Sequence, residues 1–97
     1  MMMTTEVQCV GGRLDGWLCT ATVSESGRAV STHRVHVASA DLDRLAPEAQ
    51  DPTALVEASF AFLLERESPE MILRSFELTD IGRYFPDFES RIKGGAS

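Results

Sequence analysis

The sequence predicts an α+β two-layer domain: an antiparallel β-hairpin or three-stranded meander, then one long central helix and short C-terminal helices. Three observations carry this. Apolar residues alternate with period two in the first part of the chain, and near residue 40 the spacing becomes helical. The first part is punctuated by glycine turns at Gly11-Gly12, Asp15-Gly16 and Glu25-Ser26-Gly27. The second part is punctuated by Asp51-Pro52 and Ser68-Pro69, each a capping side chain followed by proline.

Upstream of the hairpin, Glu6-Val7-Gln8-Cys9-Val10 reads as a further strand closed by Gly11-Gly12 or, in competition, by Asp15-Gly16. The hairpin itself is Trp17 to Val37. A three-residue loop, Glu25-Ser26-Gly27 with Gly27 left-handed, gathers Trp17, Cys19, Ala21, Val23, Ala29, His33, Val35 and Val37 on one face. Thr20, Thr22, Ser24, Arg28, Thr32, Arg34 and His36 take the other, with Leu18 and Val30 as its apolar members. A two-residue Ser26-Gly27 turn would slip the register by one and put Arg34 and His36 among Trp17, Cys19 and Ala21, so the three-residue loop is the reading.

Helices follow. Ser39 or Asp41 caps a short turn through Leu45, ended by Pro47. Asp51-Pro52 opens the central helix, expected to run to about Glu67, with an apolar surface that nearly encircles it. Such a helix needs more cover than one sheet provides: the C-terminal helices, or a second copy of the protein. Ser68-Pro69 opens a helix through Met71, Ile72 and Phe76, and Thr79 caps a third segment, Asp80 to Phe85, bent by Pro86. Ile81, Phe85, Phe88 and Ile92 fall on one stripe. A single domain covers residues 1–97, with its ordered core over about 6–92 and a flexible Lys93-Gly94-Gly95-Ala96-Ser97 tail.

Composition excludes several function classes. Nine Lys+Arg (eight of them Arg) stand against fifteen Asp+Glu, for a net charge of −6. That balance offers no clustered cations for nucleic acid or for an anionic membrane. Residues 1–50 carry four cations and six anions, residues 51–97 five and nine, so the helical part is the more acidic. No stretch approaches the ~20 apolar residues of a membrane span. The start, Met1-Met2-Met3-Thr4-Thr5-Glu6, lacks the basic and apolar regions of a secretory signal, so a cytoplasmic setting with free thiols is expected.

The second half carries a resemblance. The Asp51-Pro52 start, Leu63-Leu64-Glu65-Arg66-Glu67, Ile72-Leu73-Arg74-Ser75-Phe76 and the closing Tyr84-Phe85-Pro86-Asp87-Phe88 resemble a family of short, uncharacterised bacterial proteins. The resemblance spans roughly residues 17–92 and rests on packing and capping residues. It implies a strand-rich first half followed by helices, and it implies no activity.

The one candidate for chemistry is Cys19 opposite His33. Directly opposed strand residues have Cβ atoms about 4.5–5.5 Å apart, and a nearby imidazolium lowers a thiol's pKa. A small thiol-dependent enzyme or redox sensor follows from that pair; burial of both in the core is the competing reading. No metal or cofactor site is expected. His33 and His36 lie on opposite strand faces, Cys9 and Cys19 lack zinc-ligand spacing, Gly11-Gly12 precedes no Lys-Ser/Thr, and Asp41, Asp43 and Glu48 miss the calcium-loop pattern. Ser68 to Phe85 mimics a helix-turn-helix but offers Asp80, Ile81, Gly82, Arg83 and Tyr84 where a recognition helix needs base-reading side chains.

The leading expectation is a non-enzymatic module acting through protein–protein contacts, with itself as a homodimer or with another protein. Its candidate surface is Phe60, Leu64, Ile81, Tyr84, Phe85 and Phe88, weighed against the reading in which the aromatic cluster closes over the core. A small ligand held between sheet and central helix is a third possibility.

Overall fold

The computed structural model describes residues 2–95. Strands β1 (Met3–Gly12), β2 (Gly16–Glu25) and β3 (Arg28–Val37) form an antiparallel meander, followed by helices α1 (Ser39–Leu45) and α2 (Thr53–Leu64). A 3-10 turn, Pro69–Met71, leads to a short strand β4 (Ser75–Glu77); a second 3-10 turn, Leu78–Asp80, leads to α3 (Ile81–Tyr84) and α4 (Phe88–Gly95). The four strands lie in sequence order, with β4 parallel to β3. The α+β class and its two layers are as the sequence predicts.

The third strand is present and longer than Glu6–Val10. It runs on through Gly11 and Gly12, and the turn is Arg13-Leu14-Asp15, so Asp15-Gly16 marks the turn and Gly11-Gly12 does not. Gly11 must be glycine for a different reason. Its φ is +130°, and a Cβ there would collide with the Gly16 carbonyl and stand 2.9 Å from the Trp17 Cα.

The hairpin corrects the register. Ser26 and Gly27 form a two-residue turn, both with positive φ, and Glu25 faces Arg28. The predicted slip is cancelled by a β-bulge: Ser24 faces Ala29 but Val23 faces Ser31, which leaves Val30 as the extra residue. Trp17, Cys19, Ala21, Val23, His33, Val35 and Val37 therefore still share the buried face, while Ala29 is exposed and Ser31 takes the inward position. The pairings move with the bulge, so Cys19 faces Val35 and His33 faces Ala21.

No long central helix forms: α2 has twelve residues and stops at Leu64. The N–H groups of Arg66 and Glu67 both fold back onto the Leu63 carbonyl, and Pro69 disfavours helix in the residue before it. At its start the Asp51 carboxylate accepts a hydrogen bond from the Thr53 N–H at 2.9 Å; the Thr53 side chain first and this N–H second hold the Asp51 pKa below its ordinary value. Pro52 sits at the cap position rather than in the first turn. The broad apolar surface of α2 is covered within one chain. Phe60 meets the His33 ring (5.3 Å between centroids) and Phe76 (6.2 Å) on the sheet side. Phe62, two positions on and so nearly opposite around the helix, meets Phe85 (5.8 Å) and Phe88 (5.3 Å) edge-on. The second layer is the chain's own C-terminal helices, so the girth of α2 requires no second copy to cover it.

Three further expectations change. Ser68-Pro69 opens a single 3-10 turn, and the segment after it becomes β4 rather than helix. Neither Ser39 nor Asp41 caps α1, whose cap position is Ala38; the Ser39 hydroxyl donates to the Arg13 carbonyl at 2.5 Å. Thr79 does not cap α3, whose cap position is Asp80; the Asp80 carboxylate accepts from the Glu77 N–H at 3.1 Å and so closes the start of the preceding 3-10 turn. The inward stripe of Ile81, Phe88 and Ile92 is buried, with Phe85 half-buried beside it. The first strand begins at Met3, ahead of Glu6, and α4 continues through Gly95, past the point where a tail was expected to start; Ala96 and Ser97 lie outside the described residues.

Candidate functional site

Cys19 and His33 do not form a reactive pair. Cys19 is fully buried and disulfide-bonded to Cys9, its direct partner across β1 and β2, with 4.0 Å between the two Cα atoms. Free thiols were expected, and both cysteines are oxidised. The signal for this pairing was the spacing itself: a tight turn at Asp15-Gly16 sets Cys9 opposite Cys19. His33, with 0% exposure, is fully satisfied. Its Nδ1 lies 2.7 Å from the Leu73 carbonyl oxygen and its Nε2 2.8 Å from the Ser31 hydroxyl. A carbonyl can only accept, so Nδ1 carries the proton and Nε2 accepts from Ser31. Burial lowers the His33 pKa, partly opposed by the bond to Leu73. This is a neutral structural imidazole that ties β3 to the segment entering β4.

The predicted interaction surface divides. Phe60, Ile81 and Phe88 are core residues, and Leu64 is half-buried on the flank of α2 beside β1. Tyr84, at 68% exposure, is the one residue of the set with an open side chain. Tyr84, Phe85 and Ile81 nevertheless come together at a real concavity. It is an open groove of about 160 Å³ between the end of α2, the segment 71–76 and α3. Leu63, Ile72, Phe76, Ile81 and Phe85 make its apolar walls.

Three large apolar side chains stand at the groove's mouth with little cover: Met71 at 70%, Leu73 at 53% and Tyr84 at 68% exposure. Scattered single apolar residues on a surface are ordinary, but three around one apolar hollow make a patch of the kind that binds. Two carboxylates, Glu67 and Asp80, also line it. Asp80 is engaged by the Glu77 N–H and lies 3.6 Å from Arg83, whereas Glu67 has no ion pair among the described residues. The groove is thus apolar within and anionic at one side.

Met71 and Leu73 escaped the sequence reading because they were placed inside a helix, where one face would bury them. The strand-like alternation is confined to Ser75-Phe76-Glu77-Leu78; Met71-Ile72-Leu73 is apolar throughout and Arg74 is exposed on the parity of Ile72 and Phe76, so the sequence carries no signal that marks Met71 and Leu73 as exposed.

Among the described residues no group of three or more His, Cys, Asp or Glu could hold a metal ion, and no helix is long and apolar enough to cross a membrane. Comparison of the chain with family models, with curated proteins and with solved structures returns no match.

Proposed function

We propose that this protein is a non-enzymatic protein–protein interaction module whose groove receives an apolar side chain of a partner polypeptide, with an arginine or lysine of the partner beside it. The observation that carries the reading is the ring of exposed Met71, Leu73 and Tyr84 around an apolar hollow. Methionine and tyrosine suit such a role, since the first adapts its shape and the second offers area at low entropic cost. The cation is argued from Glu67, which lines the groove and has no ion pair among the described residues, and from the acidity of residues 51–97.

Titration of the ¹⁵N-labelled chain with two blocked peptides, one Leu-Arg and one Leu-Glu, tests this. The expected result is shifts confined to residues around Met71, Leu73 and Tyr84, larger with the Leu-Arg peptide, and abolished by Leu73→Asp. Absence of groove shifts at millimolar peptide, or equal response to both peptides, overturns it.

The thiol-dependent alternative starts from a bonded Cys19 that faces Val35, so it retains only a redox form, in which Cys9 and Cys19 interconvert between dithiol and disulfide. A cytoplasmic setting stays part of the proposal, and the disulfide pulls against it, because such bonds persist in oxidising compartments. Alkylation of thiols during lysis separates the two: a reducing cytoplasm predicts both cysteines labelled, an oxidising compartment neither.

A further inference from the structure

Among the described residues the sheet has one long unpaired edge. β1 is its terminal strand. The Cys9–Cys19 pair, with Cα atoms 4.0 Å apart, is of the narrow kind that exchanges no main-chain hydrogen bonds. The Ser26 N–H donates to the Met2 carbonyl at 3.0 Å in the same register. Even-numbered residues therefore bond to β2, and the N–H and C=O groups of Met3, Thr5, Val7 and Cys9 point away from the sheet. Among the described residues, no main-chain hydrogen bond outside the ladder reaches Thr5, Val7 or Cys9. An edge of ten residues with no proline and a single charge, Glu6, is a template for another strand.

We propose that this edge pairs with β1 of a second copy, antiparallel about a two-fold axis at Val7, so that two sheets become one continuous sheet. The inference extends the interaction-module reading to self-recognition, and it uses a surface at the other end of the sheet from β4 and the groove.

The side-chain order of β1 selects its own copy. With the axis at Val7, the inner face sets Val7 against Val7, Thr5 against Cys9 and Met3 against Gly11 of the second copy. The largest inner side chain thus meets the residue that has none. On the outer face Glu6 meets the Gln8 amide and Thr4 meets Val10. Moving the axis to Glu6 would oppose two carboxylates, and moving it to Gln8 would set Glu6 against Val10. The helix layer does not wall the edge off: Ala54, Ala58 and Ala61 are the exposed small residues of α2, and Ala61 and Leu64 line an open cleft with Met3 and Thr5, bordered by the Glu57 and Glu65 carboxylates.

Sedimentation equilibrium of the full chain tests the proposal. The wild type is expected at twice the 10.6 kDa chain mass at micromolar concentration. Thr5→Pro removes an edge N–H that β2 does not use, and should give a monomer with an unchanged far-ultraviolet spectrum. Gln8→Glu opposes two like pairs across the axis and should weaken the dimer about five-fold, while Gln8→Lys tightens it by a similar factor. These two substitutions on the solvent face keep the proposal falsifiable if Thr5→Pro fails to fold.

A monomeric wild type, or a dimer indifferent to the charge at position 8, overturns the proposal. A dimer lost on Tyr84→Asp but kept in Thr5→Pro also overturns it, since the contact is then at the groove, and the peptide titration above decides the groove reading separately.

Discussion

His33 and Leu73 are forty residues apart in the chain, and the imidazole Nδ1 of one lies 2.7 Å from the carbonyl oxygen of the other. This bond anchors the segment leading into β4 at the point where the Arg34 N–H takes the Arg74 carbonyl, 2.8 Å away, and the parallel pairing begins. The wall of the groove therefore hangs from a buried, neutral histidine. On the outer face of the same strands His36 Nδ1 meets Glu77 Oε2 at 2.8 Å.

The two histidines give opposite pH dependence. Burial lowers the folded-state pKa of His33, so its contribution is intact above the ordinary value of about 6.5 and is lost as pH falls from there through the depressed folded value. Glu77 raises the pKa of His36, so its contribution is fully present below about 6.5 and is lost as pH rises through the raised folded value. Urea midpoints between roughly pH 7.5 and 5, above the carboxylate range, should show His33→Gln losing less stability on acidification than the wild type. His36→Gln should lose more. Parallel slopes for all three proteins would remove the linkage.

The Cys9–Cys19 bond closes a short loop across the first hairpin. Chain entropy puts its contribution at about 3 kcal/mol for a loop of this length. Unfolding with and without reductant should show that loss in the wild type, and no reductant effect in the Cys9→Ala/Cys19→Ala double variant. Reduction that leaves the wild-type midpoint unmoved would show that the bond constrains little in the unfolded chain.

Arg66 fastens the end of α2 to the C-terminal helices. Its guanidinium lies 3.7 Å from the centre of the Phe62 ring, donates to the Phe62 carbonyl at 3.1 Å and to Asp87 at 3.2 Å, and is only 22% exposed. Arg66→Ala should cost about 1.5 kcal/mol in chemical denaturation, and Arg66→Lys should recover less than half of it, because an ammonium cannot stack and fork at once. Full recovery by lysine would reduce the role of Arg66 to its charge.

Much of the fold was legible because it is local. Alternation from Trp17 to Val37 identified the buried face, and the apolar girth of residues 55–63 announced a helix covered on two sides. Ile81, Phe88 and Ile92 declared the closing stripe. The site was legible only in part. Tyr84, Phe85 and Ile81 do meet at the groove, but Phe60 and Phe88 were absorbed by Phe76, Phe62 and the sheet, since an aromatic stripe says nothing about which element will cover it.

The sequence by itself determined the α+β class, most of the inward face of the β2–β3 hairpin, the start of α2 near Pro52 and the acidic balance, all of which depend on residues close together in the chain. The tertiary structure alone decided the rest. The bulge at Val30 reconciled a two-residue turn with an unbroken core face, because burial of Val35 and Val37 outweighs one unpaired residue in the ladder. Segment 75–77 became a strand because β3 offered it a parallel partner and the His33 bond to the Leu73 carbonyl fixed the chain leading into it. Cys9 and Cys19 became a bond once the first turn set them face to face.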